Sequence, residues 1–375
     1  MKQTAIYIHI PFCDHKCIYC DFYSIINYDN VKNYLDALLK EIELRSLEHS
    51  SGREIISIFF GGGTPSFMEP DYIGRIIESI KVKFDVRKDV EVTLETNPGT
   101  VTKDKLQAFK SVGINRISIG IQSFNESELK FLTRIHDSKT AIDTVYSSAD
   151  AGFENISIDL IFNLPNQTKE IWNENLQIAT SLPIKHISAY SLILEKGTIL
   201  NKMVLDGKVQ MQDSDHDANL YEFTISQLEE KRFKQYEVSN FAKDGLECMH
   251  NNVYWRYHDY LGFGTSAHSF INSQRWWNYS SLNFYIEKMK NGSPIAGSEI
   301  LTSDQRHDEY VMLALRSKGI DINDYKSNFD GNWLTQKEEL INKYSSDGFL
   351  VLEDNFIKFS PKGYSLCDEI VSNLL

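Results

Sequence analysis

No stretch of this chain approaches the ~20 consecutive apolar residues of a membrane span. Its start, MKQTAIYIHIPFC, has no apolar core followed by a small-residue cleavage site. The expectation is a cytoplasmic protein with no transmembrane segment. Positive charge is in short supply: 39 Lys and Arg stand against 52 Asp and Glu, a formal net charge of -13. Phosphate binding needs a basic face, so no nucleic-acid partner is expected. The same balance gives no support to binding an anionic membrane. Cysteine is scarce too, five in 375 residues. In a reducing compartment thiols persist, so cysteines that cluster read as metal or redox ligands before disulfides.

What is present suits a globular protein of one large and one smaller domain, with 42% hydrophobic residues and 24% charged. Over the first ~230 residues, short β-type runs alternate with helical ones. The strand candidates are AIYIHI (5–10), IISIFF (55–60), VEVTLE (90–95), RISIGI (116–121), ISIDLIF (156–162) and HISAYSL (186–192). Amphipathic stretches at 31–48, 71–84, 102–113, 168–182 and about 213–230 separate or follow them. Six βα units in series make a parallel sheet, either an open doubly wound one or a partial (β/α)6 barrel. Barrel chemistry collects at the C-terminal ends of the strands. Cysteines follow the first strand, and GGGTP (61–65) follows the second. Glu95 and TNP (96–98) close the third, and Gln122 and Ser123 follow the fourth. Asp159 lies in the fifth, NLP (163–165) follows it, and Tyr190 and Ser191 close the sixth. A rim populated at every strand end favours the barrel over an open sheet, whose ligands gather at one switch point.

The expected domains are a barrel at 1–230, an aromatic-rich extension at 231–300 packed against it, and a C-terminal module at 301–375. The extension holds YEVSNFA, HNNVYWRYHDYLGFGTSAHS and RWWNY. The last module reads helix, helix, then a β-hairpin around Glu353–Asn355, the order of a winged helix. Residues 300–375 carry 8 Lys and Arg against 13 Asp and Glu, so packing or partner binding is favoured over DNA.

Cys13, Cys17 and Cys20 form C-x3-C-x2-C directly after the first strand. Iron–sulfur clusters are held by thiolates, commonly four. Three thiolates on a four-iron cubane leave one iron open to an exchangeable ligand, the logic of open catalytic metal sites. Zinc with His9 or His15 as a fourth ligand, a disulfide with a spare thiol, and chance clustering remain open on these residues alone. Cys367, in the last helix, reads as a small core residue.

C-x3-C-x2-C after the first strand and GGGTP after the second resemble the radical S-adenosylmethionine (SAM) superfamily. That resemblance implies a radical-SAM TIM-type barrel and a [4Fe-4S] cluster whose open iron is chelated by SAM. If SAM is cleaved, one electron from the cluster would generate a 5′-deoxyadenosyl radical. A closer resemblance covers nearly the whole chain and is to the oxygen-independent coproporphyrinogen III oxidase family. It is carried by IYIHIPFC, FFGGGTPS, LETNPG, GIQSF, LTRIHD, SIDLIFNLP and YLGFGTSAHS. It implies that Tyr7, Gly62, Gly63, Thr64, Glu95, Gln122, Arg134 and Asp159 line the SAM region. Carboxylates suit ribose hydroxyls or an ammonium, an amide suits an amide-type contact, and Arg suits a carboxylate.

Within that family, true oxidases carry a further cysteine two positions after the third and an extension before the first strand. Here Phe22 occupies the cysteine position, and only Met1 to Ile6 precede Tyr7. Both features resemble the family's haem chaperone branch. HNNVYW (250–255) matches the H-N-x-x-Y-W motif associated with haem binding there. Imidazole is a good axial ligand for haem iron. His250 is the first candidate, His258 and His268 follow, and Cys248 is a soft-ligand alternative. Tyr254 and Trp255 are candidate walls for the porphyrin. The resemblance implies a carrier that delivers haem to an acceptor protein, expected to be a respiratory one, with an electron donor as a further partner. The alternatives are oxidative decarboxylation of coproporphyrinogen III, radical-SAM chemistry on tRNA or another substrate, and a non-catalytic protein whose cluster controls oligomer state. Whether the chain is an enzyme is left open.

Overall fold

The computed structural model describes residues 1–329 and 331–375. In chain order the strands are β1 (Lys2–Ile10), β2 (Arg53–Gly62), β3 (Asp85–Thr96), β4 (Arg116–Gln122), β5 (Asn155–Phe162) and β6 (His186–Ser191). Next come β7 (Lys234–Gln235), β8 (Asn240–Ala242), β9 (Tyr260–Phe263), β10 (His268–Ile271), β11 (Gln274–Asn278) and β12 (Ile295–Ile300). The last three are β13 (Ile320–Asp321), β14 (Leu350–Glu353) and β15 (Phe356–Phe359). β1 to β12 form one sheet in the order β12-β11-β10-β9-β1-β2-β3-β4-β5-β6-β8-β7. β1 to β6 run parallel, each beside the next, as expected of a partial (β/α)6 barrel.

Helices cover the outside because the βα segments carry apolar stripes, and several open on a side-chain cap. Ile73, Ile76, Ile77 and Ile80 line the buried face of helix Pro70–Lys83 at helical spacing, and Pro70 opens it. Side chains of Thr102, Asp137, Thr168 and Asp213 accept backbone N–H groups at the starts of their helices.

Strand alternation then divides the residues. One set, such as Ile6, Ile8, Ile58, Val92, Ile117 and Ile158, joins the large apolar core under the helices. The alternate set faces the lumen and is mostly polar. The register lines up Tyr7 with Phe59 and Thr93, then Glu95 with Ser118, Ser157 and His186.

Residues 231–300 pack against the barrel and also continue it. They extend its sheet past both edges: β8 pairs antiparallel with β6, and β9 pairs parallel with β1. The extension is fastened by Glu41 on helix Val31–His49. Its buried carboxylate accepts from Gly264 N (2.8 Å), Asn278 Nδ2 (2.7 Å) and the Tyr285 hydroxyl (2.6 Å). Helix Met249–Trp255 packs on the N-terminal halves of β1 and β2 through Val253, Ala5 and Ile56.

The chain after Leu301 has its own core, including Tyr310, Leu315, Trp333, Ile341, Ile357 and Leu374. Helix Ser303–Leu315, β13, helices Ile322–Asn328, Asn332–Gln336 and Glu338–Ser346, and the β14–β15 hairpin follow in winged-helix order. The hairpin turns at Asp354 and Asn355, both with positive φ, as a two-residue hairpin turn requires. Arg275 holds the Glu309 carboxylate at 2.9 and 2.8 Å and Val238 N donates to Arg316 O at 2.8 Å, tying this module to the sheet. Among the described residues no helix is long and apolar enough to cross a membrane.

Candidate functional site at the barrel mouth

The cysteine loop leaves β1 through a closed neck. Cys13 N donates to Ile25 O (2.9 Å), and Ile25 N donates to Pro11 O (2.7 Å). Cys13, Cys17 and Cys20 are free thiols, each part-exposed, and burial pushes the Cys20 pKa up. Among the described residues no three His, Cys, Asp or Glu side chains are placed to share one metal ion. His9 is a poor fourth zinc ligand. Its Nδ1 lies 3.1 Å from the Tyr7 hydroxyl and its Nε2 lies 3.0 Å from Tyr23 O, so both nitrogens are engaged.

The glycine turn after β2 grips this neck. Gly63 N donates to Ile10 O (2.8 Å) and Thr64 N to Phe12 O (2.7 Å). A Cβ on Gly62, where φ is +113°, would sit 2.6 Å from His9 Cε1. One on Gly63 would sit 2.5 Å from Phe12 O. The close approach that these glycines permit is thus to the protein's own chain.

Two sulfurs face polar groups, Thr64 from the turn after β2 and Arg134 from the loop after helix Glu126–Phe131. Thr64 Oγ1 lies 3.3 Å from Cys13 Sγ, and Arg134 Nη1 lies 3.6 Å from Cys17 Sγ. Asn97 joins them: its Nδ2 donates to Thr64 Oγ1 (2.8 Å), and its Oδ1 accepts from Arg134 Nη2 (2.6 Å). Arg134 Nη2 also reaches Gly120 O at 2.6 Å. Asn97 was not among the expected site residues, although it is the N of the TNP that closes β3. Thr133, with φ +57°, was missed as well. Its hydroxyl accepts from Ile18 N at 3.2 Å and lies 3.4 Å from His15 Nε2.

Below the loop lie two carboxyls. Burial, and then the Asp159 charge, push Glu95 up to about 8, although its Oε2 accepts from Gly62 N at 3.3 Å. Burial raises Asp159 to about 6, opposed by hydrogen bonds from Ser188, Ser118 and Tyr190 and by the Arg116 charge. Arg116, at the start of β4, is 2% exposed and was read from sequence only as a strand residue. Gln122, at φ +73°, ends β4 with a buried Oε1 that has no partner, and Arg134 Nε has none either. These atoms fit an absent polar, cationic ligand: two unbonded polar atoms above two carboxyls whose ionisation a positive charge would favour. The donor set fits an iron–sulfur cluster, with three thiols and Thr64 and Arg134 beside two of the sulfurs.

Tyr7 connects this rim to the other end of the lumen, where His250 lies. The His250 ring is 2% exposed and stacks on Phe59 at 4.9 Å. Its Nδ1 lies 3.0 Å from Ser57 Oγ and its Nε2 lies 2.9 Å from the Tyr254 hydroxyl. Burial lowers its pKa to about 3. The structure therefore places His250 apart from the cysteine loop, with neither nitrogen free. Cys248 is buried as well, and burial pushes its thiol up to about 12. Its Sγ lies 3.5 Å from Glu91 Oε1, whose carboxylate also accepts from Met249 N and His250 N. A protonated, enclosed thiol is a poor ligand. His258 is part-buried, while His268 is exposed and stacks on Trp277 at 5.9 Å.

Residues 7–178 match the radical SAM superfamily, and residues 301–366 match the HemN C-terminal domain. Coproporphyrinogen III oxidase (HemN) from Escherichia coli, described as a radical SAM enzyme, shares the fold at TM-score 0.84. That likeness covers 100% of this chain and 90% of the other at 23% identity. Fold and match define a radical SAM protein. The heme chaperone HemW of Bacillus subtilis (strain 168) is 32% identical over 100% of this chain and 99% of its own length. Radical S-adenosyl methionine domain-containing protein 1, mitochondrial, of Danio rerio is 33% identical over 100% of this chain and 87% of its own. The chain belongs to the HemW haem chaperone family.

Proposed function

We propose that this chain is a haem carrier that holds a [4Fe-4S] cluster on Cys13, Cys17 and Cys20, binds SAM at the iron left without a thiolate, and passes haem to an acceptor protein. The observation that carries the cluster and SAM is the set of three free thiols at the mouth of a polar barrel. When bound, the cluster supplies one-electron chemistry. The protein's part is to bind and orient. Glu95 and Asp159 offer negative charge to a sulfonium or ammonium, and Gln122 and Arg134 offer unbonded polar atoms to the rest of SAM. Tyr7 lies beside them, and Gly62, Gly63 and Thr64 shape the edge. A cytoplasmic location and an electron donor belong to the same proposal.

The haem reading rests on family membership and on HNNVYW. For His250 to become an axial ligand, one ring nitrogen must give up its partner, Nε2 the Tyr254 hydroxyl or Nδ1 the Ser57 hydroxyl, so the packing around the ring must move. A second reading, His268, is favoured by its exposure beside Trp277. The test is an anaerobic haem titration of cluster-reconstituted protein, read by its Soret band, with His250→Ala and His268→Ala alongside. A saturable, stoichiometric shift weakened by one substitution supports a haem chaperone and names the ligand. No specific binding by the wild type, together with turnover of coproporphyrinogen III, would replace this reading with the oxidase.

A further inference from the structure

The Asn97 side chain touches the partners of two cysteine sulfurs, and its chemistry sets a direction. Arginine has donors only. The Asn97 atom 2.6 Å from Arg134 Nη2 must therefore be the carbonyl oxygen, which leaves the amide nitrogen to donate to Thr64 Oγ1 at 2.8 Å. The Thr64 oxygen is then an acceptor toward Asn97. Its own proton is free for its other near neighbour, Cys13 Sγ at 3.3 Å. A relay of fixed polarity runs from Arg134 through Asn97 and Thr64 to Cys13, while the other Arg134 nitrogen approaches Cys17 Sγ at 3.6 Å. Gly120 makes the room: a Cβ there would lie 2.9 Å from Asn97 Oδ1.

We infer that Asn97 is a positioning residue that aims a hydroxyl proton at Cys13 and a guanidinium at Cys17, so that one amide sets the hydrogen bonds to two cluster thiolates. The inference rests on the cluster assignment above. Hydrogen bonds to cluster sulfurs stabilise the more negative, reduced state and so raise the reduction potential. Asparagine is required because aspartate would accept from both neighbours. The Thr64 proton would then turn from sulfur to carboxylate while Arg134 stayed in place.

The experiment measures iron and sulfide content and the reduction potential of the reconstituted full chain, for wild type, Asn97→Asp, Thr64→Val and Thr64→Ser. Thr64→Ser keeps the hydroxyl and is expected to titrate with the wild type. Thr64→Val and Asn97→Asp are expected to retain iron and to shift to more negative potential. The relay is overturned if Thr64→Val and Thr64→Ser titrate alike, or if Asn97→Asp titrates with the wild type. Should Asn97→Asp fail to fold or to take up iron, the Thr64 pair decides. A wild type that takes up no iron overturns the cluster reading itself, a separate outcome from a loaded wild type whose variants do not shift.

Discussion

The Tyr7 ring lies 6.3 Å from the His250 ring, and its hydroxyl lies 3.1 Å from His9 Nδ1. One lumen-facing tyrosine thus stands between helix Met249–Trp255 and the strand end that carries the cysteine loop. β1 places it there because successive inward positions run from Ala5 through Tyr7 to His9.

That placement makes His250 a structural residue as well as a candidate ligand. His250→Ala leaves the Ser57 and Tyr254 hydroxyls buried beside a void under Phe59. It is expected to cost about 2–4 kcal/mol in denaturant unfolding. His268→Ala, at an exposed ring, is expected to stay within about 0.5 kcal/mol of the wild type. A His250→Ala protein as stable as the wild type contradicts the buried, doubly bonded ring.

Gly62→Ala should injure the cysteine loop without touching a thiol. The new Cβ meets the His9 imidazole, and alanine disfavours φ +113°. The expected outcome is a loss of roughly 1–3 kcal/mol and a drop in iron bound after reconstitution. Wild-type iron content with unchanged stability would show that the turn does not grip the loop through this residue.

The two lumen carboxyls give a pH signature. Glu95 is raised from 4.5 to about 8 and Asp159 from 3.8 to about 6, burial being the larger cause in both. Each binds its proton more tightly in the folded chain. The stability this supplies is complete below the unfolded values, lost as pH rises through the folded ones, and absent above about 8. Glu95→Gln removes the larger shift. The stability difference, wild type minus variant, should therefore fall as pH rises from about 4.5 to about 8 in the ligand-free protein. A difference flat in pH would place Glu95 in a more solvated setting.

The barrel was legible because its evidence is local. Each of β1 to β6 is an apolar run ended by a polar or glycine-rich group, and C-x3-C-x2-C sits directly on the first end. The C-terminal hairpin was legible from its Asp354–Asn355 turn. What stayed hidden depends on chain that is distant in sequence. Asn97 lies 33 residues from Thr64 and 37 from Arg134; β2 and β3 side by side bring Thr64 close, and the loop after helix Glu126–Phe131 folds Arg134 back onto Gly120 of β4. The neighbours of Gly62 are hidden in the same way, since glycine at a tight approach looks alike whether ligand or protein comes close. β9 is four residues of YLGF inside an aromatic tract, so its pairing with β1 carried no period to read. His250 lay in a recognised motif, but its burial against Ser57, 193 residues away, was beyond reach.

The central claim is that three thiolates leave one cluster position open and that SAM fills it. The direct measurement is electron paramagnetic resonance of the reduced, reconstituted chain before and after adding SAM, with Cys13→Ala as the control. This account predicts a cluster signal in the wild type that changes when SAM is added, and little or no signal in Cys13→Ala. A wild-type cluster whose spectrum is unaffected by saturating SAM would contradict it.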